Sequence, residues 1–420
     1  MPPTFSALKG MADVLSPESG RFAALVARFA EHAHRAGYGL VITPVVEDYG
    51  LFTRVGESTD IVRKEMYDFE TKGGDHVALR PEGTAPVMRA YLEHRPTTPW
   101  KAWYVAPNFR YEQPQAGRYR LHHQVGAEAI GSDDPDLDVE VIALIARFYE
   151  DVGLRTTRLR LNSLGDATCR PAYREQLIAF LRERSDQLCG EHKERFEDNP
   201  LRVLDCKKLP CIEATKEAPH QVDALCVPCT EHFARVKDGL DALGIAYTLQ
   251  PRLVRGLDYY TRTTFEFESG ALQESQAQVA IGGGGRYDGL AAALGGSPTP
   301  GIGFGAGVER ILLACDAEGV LPAPEHHPQL DVFVIDTTGG DAARDTVDAL
   351  RRAGIAADRS FDDRSFKAQM KQALRSGARY AVTIEEERTE LRTLIEKGEP
   401  EVLDRDPSTL VEHVRKRLSE

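Results

Sequence analysis

The feature that most restricts the fold is the way strand-like runs crowd together without helices between them. KAWYVAPNFRYE (101–112) and HHQVGAEAIG (122–131) both read as strands, joined by QPQAGRYRL, a connection long for a hairpin. EMYDFE and HVALR read as a hairpin turned by TKGGD. VRGLDYYTRTTFEF (254–267) alternates with period two. Phe265, Phe267, Thr261 and Thr263 share one face; Tyr260, Arg262, Thr264 and Glu266 share the other. Strands that pair locally do not make a βαβαβ chain. The expectation is an α+β fold, an antiparallel sheet flanked by helices.

Helical signals fill the gaps. Ser16-Pro17-Glu18 offers a capping hydroxyl, a first-turn proline and an acid, followed by Phe22, Leu25, Val26 and Phe29 at helical spacing. Thr84 is a candidate cap for a helix from Pro86 to Leu92, and a further helix is expected at about 136–150. YGLVITPVVEDY (38–49) reads as a buried strand broken by Pro44, which implies an edge or a bulge. Residues from about 165 to 245 are mostly helical in pattern and read as an insertion. LPAPEHHPQ (321–329) is proline-rich and polar, a linker that separates a domain of 1–322 from one of 330–420. Beyond it, LDVFVID, a helix to Arg352 and ARYAVTI alternate as in a small α/β domain.

Composition narrows the class. The net charge of −13 argues against a general nucleic-acid coat protein, though not against a local basic surface. Seven cysteines suit a reducing cytosol better than a disulfide-stapled exterior, so a cytoplasmic location is expected. MPPTFSALKGMADVLSP lacks the charged start and apolar run of a signal peptide, and no apolar run reaches membrane-spanning length.

Five stretches carry chemistry. In LRPEGTAPVMRA (79–90), Glu82 could receive an ammonium group or simply favour a helix N-terminus. Around NFRYEQPQAGRYRLHHQVGAE (108–128), Lys101, Arg110, Arg118 and Arg120 face only Glu112 as a counter-charge between residues 100 and 125, which suits a polyphosphate or a solvated basic hairpin. Gln124 and Glu128 share a strand face. IGGGGRYDGL (281–290) and GIGFGAGVERILL (301–313) set glycines beside Arg286, Tyr287, Glu309 and Arg310. They permit close approach of a ligand, or pack a helix on a sheet. GIGFGA matches the dinucleotide fingerprint in letters but follows a loop, GGSPTP, rather than a strand. Arg364, Lys367, Lys371, Arg375 and Arg379 fall on one helical face, either solvated or facing nucleic acid. Cys206, Cys211, Cys226 and Cys229, with His220 between the pairs, could form one zinc site or remain free buried thiols.

Taken in order, these stretches resemble the histidyl-tRNA synthetase family of class II aminoacyl-tRNA synthetases, over essentially the whole chain. GLVITPVVED, FRYEQPQAGRYR and GIGFGAGVERILL resemble the three class motifs; LVRGLDYYTRTTFE and GGGRYDGL are similar to the two histidine-specific stretches. The resemblance implies a class II catalytic domain, a helical insertion and a C-terminal α/β anticodon-binding domain. It implies activation of histidine by ATP to histidyl-adenylate, then transfer to the 3′ end of tRNA, with Mg2+ on the phosphates and a homodimer as the working unit. Glu82, Thr84 and Gln124 would hold the α-amino group. Glu128 and Tyr260 would read the imidazole, with Tyr259 and Tyr287 enclosing it. Arg255 would lie between the carboxylate and the α-phosphate, beside Arg110, with Gly256 allowing close approach. Arg118 and Arg310 would hold the far phosphates of a bent ATP, and His122 would lie under the adenine where the family usually has phenylalanine. Gln115 would meet the tRNA acceptor end, and Lys367, Lys371 and Arg375 the anticodon side. TIEEE (383–387) departs from a family stretch that usually contains glycine, and the resemblance lends no support to zinc. The competing expectation is a non-catalytic regulatory subunit of histidine biosynthesis. Such paralogues have eroded signature stretches and typically lack the C-terminal domain.

Overall fold

The computed structural model describes residues 5–56, 59, 61–204, 206–254, 259–274, 279–321, 330–362, 364–395 and 398–419. Arg255, Gly256 and most of the expected linker lie outside these residues. The chain divides into two compact units, one of Met1–Asp13 with Arg21–Pro322, the other of Val14–Gly20 with Ala323–Glu420. Residues 14–20 therefore fall outside the contiguous 1–322 expected.

Most of α1 (Glu18–Arg35), from Arg21 on, belongs to the first unit, and its Leu25, Phe29 and Ala33 are buried at helical spacing. The unit continues through β1 (Gly39–Leu40), β2 (Val46–Asp48), α2 (Tyr49–Gly56), β3 (Tyr67–Glu70), β4 (His76–Leu79), α3 (Thr84–His94), β5 (Trp100–Phe109) and β6 (Leu121–Ile130). Next come α4 (Pro135–Val152), β7 (Thr157–Ser163), α5 (Arg170–Arg182), α6 (Gly190–Lys193), α7 (Leu201–Leu204), α8 (Leu209–Ala214) and α9 (Val227–Ala242). The unit closes with β8 (Tyr247–Leu249), β9 (Thr261–Ser269), α10 (Gly270–Glu274), β10 (Ala280–Arg286), α11 (Leu290–Ala293), β11 (Gly301–Gly307) and α12 (Val308–Glu318).

Eight of these strands form one sheet in the order β1-β5-β6-β11-β10-β9-β7-β8. Its interior pairings are all antiparallel; only β1 on β5 and β8 on β7 are parallel. One sheet face carries the core. Val125, Ala127 and Ala129 of β6, Phe304 of β11, and Phe265 and Phe267 of β9 pack there with apolar residues of α1, α4, α9 and α12. By the period-two alternation of strands, Gln124, Glu128 and Glu266 project from the opposite face.

Several expectations change. The run 38–49 is not a buried strand. It splits into β1 and β2, which belong to different sheets, and Leu40, Ile42 and Val46 are 54%, 85% and 42% exposed. Of the run expected as a strand from 254, the described strand is Thr261–Ser269, and residues 255–258 lie outside the described residues. Thr84 does not cap its helix; the cap position is Gly83, and the Glu82 carboxylate accepts from the Thr84 and Ala85 N–H groups at 2.6 and 2.8 Å. The end of the insertion belongs to the main core, since Phe233, Val236 and Leu240 of α9 pack there, while residues 173–218 hold a small core of their own.

The second unit contains β12 (Val332–Asp336), α13 (Asp341–Arg352), β13 (Ala357–Arg359), α14 (Phe366–Arg375), β14 (Tyr380–Ile384), β15 (Thr389–Thr393), β16 (Glu401–Leu403) and α15 (Pro407–Ser419). Its sheet order is β13-β12-β14-β15-β16, parallel through β14 and antiparallel after it. The basic stripe is shorter than expected. Lys367, Lys371 and Arg375 lie exposed on α14, opposite buried Gln369 and Ala373, whereas Arg364 and Arg379 lie beyond the helix ends.

Candidate active site

Two groups of polar side chains stand on the open face of the large sheet. The first is buried around Glu128 of β6. Its carboxylate accepts hydrogen bonds from the Tyr287 hydroxyl at 2.6 Å, the Thr84 hydroxyl at 2.8 Å and the Tyr104 hydroxyl at 3.2 Å. An ionised carboxylate has about four acceptor sites, so three donors leave roughly one for a ligand. Burial pushes the Glu128 carboxyl up to about 8, and the nearby Glu82 adds to the rise, while the three hydroxyls oppose it. Glu82 is likewise raised by burial. Tyr259 donates to Glu82 at 3.4 Å, and its ring stands 4.8 Å from that of Tyr260 and 6.1 Å from that of Tyr287. A carboxylate read by hydroxyls inside an aromatic wall can accept an N–H from a planar, amphipathic ring.

The glycines explain how so many groups share this space. A Cβ on Gly303 would stand 1.6 Å from the Glu128 carboxylate, and one on Gly301 would stand 2.4 Å from the Tyr287 ring. A Cβ on Gly126 would meet Tyr104 at 2.3 Å. These three glycines make room for the protein's own acid and tyrosines. Tyr104 itself was missed. It lay inside a run read only as strand, and its partner in register is Gly126.

The second group lines an open cleft: Arg110, Glu112, Arg118, His122, Gln124, Glu266, Glu309 and Arg310, floored by glycines 282, 283, 305 and 307. Gln124 reaches this cleft four residues before Glu128 on the same strand face. Its side-chain oxygen accepts from buried Asn108 at 2.8 Å, which orients its amide; Asn108 also went unrecognised in the sequence. Arg110 is tied through Nε to the Pro81 carbonyl at 2.9 Å. Arg310 donates to the carbonyls of Gly117 and Ala280, at 2.6 and 3.0 Å. Burial, and then the neighbouring Arg110, lower the Arg310 guanidinium below its ordinary value. Arg118 pairs with Glu112. His122 is held well below its usual value by burial and by Arg110 and Arg310, so its ring is neutral. Glu309 accepts from the His123 backbone at 2.9 Å and from its ring at 2.8 Å. Three guanidiniums converging on a glycine floor suit a polyphosphate. The carboxylates Glu112 and Glu266 in the same cleft are oxygen donors of the kind magnesium takes.

Other expected residues stand elsewhere. Lys101 pairs with Glu140 at 2.7 Å and leaves the basic cluster. Arg120 donates to the Glu112 carbonyl and lies 3.8 Å from the Tyr111 ring centre. Arg286 is fully buried, paired with Asp138 at 2.7 Å, and fixes β10 to the start of α4. Gln115 is exposed in the turn between β5 and β6, where it exchanges backbone hydrogen bonds with Arg118. The four cysteines do not form one site: Cys206 and Cys211 gather in one cluster and Cys226 and Cys229 in another, and His220 joins neither. Arg255 lies outside the described residues.

The family model described as Histidyl-tRNA synthetase matches residues 10–311. A histidine–tRNA ligase of Moorella thermoacetica is 50% identical over 385 residues, 90% of each chain. The crystal structure of apo S. aureus histidyl-tRNA synthetase superposes with a TM-score of 0.81 at 34% identity, covering 98% of this chain and 100% of that one. A Bacillus halodurans C structure described as an ATP phosphoribosyltransferase regulatory subunit/histidyl-tRNA synthetase shares the fold, at TM-score 0.62 and 20% identity.

Proposed function

This chain belongs to the histidyl-tRNA synthetase family, and on that premise we propose that the buried Glu128 group selects histidine while the arginine cleft holds ATP. The chain is an ATP-dependent histidine–tRNA ligase: it activates histidine to histidyl-adenylate and transfers it to tRNA. The observation that carries the site assignment is Glu128, fully buried, with three hydroxyl donors and one acceptor site to spare.

In this reading the imidazole N–H enters against Glu128 within the walls of Tyr259, Tyr260 and Tyr287. The α-ammonium meets Glu82, the Thr84 hydroxyl and the Gln124 amide. The histidine carboxylate then points along β6 toward the cleft, where Arg110 meets the α-phosphate and Arg118 and Arg310 the far phosphates. His122, uncharged, lies flat under the adenine without opposing the arginines. Arg255 supplies positive charge between carboxylate and α-phosphate as the carboxylate attacks. Positioning and charge neutralisation supply the rate, and no protein nucleophile takes part. Glu112 and Glu266 would hold magnesium, which would neutralise further charge.

Gln115, exposed at its turn, would meet the acceptor end of the tRNA. The second unit would serve as the anticodon-binding domain, with Lys367, Lys371 and Arg375 on its RNA face; among the described residues no acid pairs with these three. The exposed Leu40, Ile42 and Val46 supply an apolar edge for a homodimer. Among the described residues no helix is long and apolar enough to cross a membrane, and we place the enzyme in the cytoplasm.

Arg255→Ala tests the chemical step. Histidine-dependent ATP–pyrophosphate exchange should fall by on the order of a hundredfold or more, with the thermal unfolding midpoint unchanged. Exchange at the parent rate would remove Arg255 from the mechanism.

A further inference from the structure

Six of the seven cysteines lie between 169 and 229, and they gather at two places. Cys189, His192, Cys206 and Cys211 bring one donor atom each within 4.8 Å of one another, and so do Asp166, Cys169, Cys226 and Cys229. We propose that each quartet is a structural zinc site, Cys3His within the insertion and Cys3Asp at its base.

The distances are those of a coordination shell. Tetrahedral zinc, with bonds of about 2.3 Å to sulfur and 2.0–2.1 Å to nitrogen or oxygen, has edges of roughly 3.5 Å between unlike donors and roughly 3.8 Å between sulfurs. The Cys189 and Cys211 sulfurs stand 3.3 and 3.6 Å from His192 Nδ1. Asp166 Oδ1 is 3.6 Å from the Cys169 sulfur and 3.8 Å from that of Cys226, and the Cys169 and Cys229 sulfurs are 4.0 Å apart. A disulfide needs about 2.05 Å. Apolar packing would account for one thiol pair. It does not account for two quartets, each with a nitrogen or oxygen donor turned in among three sulfurs.

Local sequence and backbone agree. Asp166-x2-Cys169, Cys189-x2-His192 and Cys226-x2-Cys229 have knuckle spacing, and Cys206-x4-Cys211 is the looser partner. Backbone N–H groups aim at the sulfurs: Cys189 N at Cys211 and Asp166 N at Cys169, both at 3.3 Å. Asp166 also accepts from Thr168 N at 2.9 Å and Cys169 N at 3.4 Å, which fixes its carboxylate. Arg262 stands 3.6 Å from its other oxygen and offsets the charge of a three-thiolate site.

The insertion needs such staples. Helices α6, α7 and α8 have four, four and six residues, too short to persist alone. Their shared core is small and itself includes Cys189 and Cys211. Lobes of this size commonly rely on metal. The base site joins the start of the insertion to the first turn of its last helix, α9, and also braces the proposed histidine pocket. Arg262 N donates to Gly165 O at 2.7 Å, and Arg170 donates to the Tyr260 carbonyl at 3.0 Å.

Metal analysis of the full chain, purified reduced and without chelator, should find about two zinc ions per chain. Cys206→Ser and Cys226→Ser should each remove one, and the double variant both. Because a variant can misfold, wild-type protein stripped of metal and refilled with cobalt(II) provides the second readout. It should show thiolate-to-cobalt charge transfer and the strong visible bands of tetrahedral cobalt. Reduced protein without zinc and without that cobalt spectrum would overturn the proposal. So would a stoichiometry that neither substitution lowers, or a single zinc that one substitution alone removes.

Discussion

The proposed histidine pocket and the proposed ATP cleft share one strand and one sheet face, yet they are built on opposite principles. Around Glu128 the polar groups of Glu82, Thr84, Tyr104 and Tyr287 are buried, and burial raises the acid to about 8. Around Arg110, Arg118 and Arg310 the space is open and glycine-floored, with guanidiniums held by carbonyls or by Glu112. Selecting one small ring demands desolvated, fully partnered polar groups, because a wrong side chain then leaves them unpaired. Holding a triphosphate demands charge and room.

That contrast can be broken first at Glu128. Glu128→Gln should lower kcat/KM for histidine in pyrophosphate exchange by on the order of a hundredfold, the worth of a charge-assisted hydrogen bond of about 3 kcal/mol. The KM for ATP should hardly move. A matching rise in the ATP KM would mean that the two regions are not separate.

The pH profile sharpens the comparison at a smaller effect. In the free enzyme Glu128 must lose its proton to accept the imidazole N–H. Between pH 6.5 and 8, kcat/KM for histidine should therefore rise by more than about tenfold, levelling only about one pH unit higher, and Glu128→Gln should flatten that limb. Stability runs the other way. The folded state binds this proton more tightly than the unfolded chain, whose value is near 4.5. The contribution is present in full below that pH and is lost as pH rises toward about 8, so unfolding temperatures should fall across this window unless position 128 is glutamine.

The smallest effect lies outside both regions. Replacing Lys367, Lys371 and Arg375 together by alanine should raise the KM for tRNA several-fold, and more at low salt, while histidine-dependent exchange stays at the parent rate.

The cleft was more legible in the sequence than the pocket. Arginine and glycine types and spacing mark out the residues that line the cleft, though not whether they hold phosphate or only solvent, and the antiparallel sheet follows from strands crowding together. The pocket depends on registers that no local pattern reveals. Tyr104 reaches Glu128 only because β5 and β6 pair with Gly126 opposite it. Thr84, read as a cap, spends its hydroxyl on Glu128, 44 residues away. Arg286 stands among the glycines in sequence with no sign of its buried partner Asp138, which lies far off in the chain. The cysteines were paired by nearness in sequence, whereas the fold pairs 169 with 229 and 189 with 211. The run 38–49 looked buried because its residues are apolar, and they are apolar on an exposed edge.

The most direct test of the account is ATP–pyrophosphate exchange on the purified chain with each of the twenty amino acids in turn. Exchange is expected with histidine alone, and is expected to be abolished or crippled in Glu128→Gln. Exchange supported equally by glutamine or asparagine, or histidine exchange indifferent to the loss of Glu128, would contradict it.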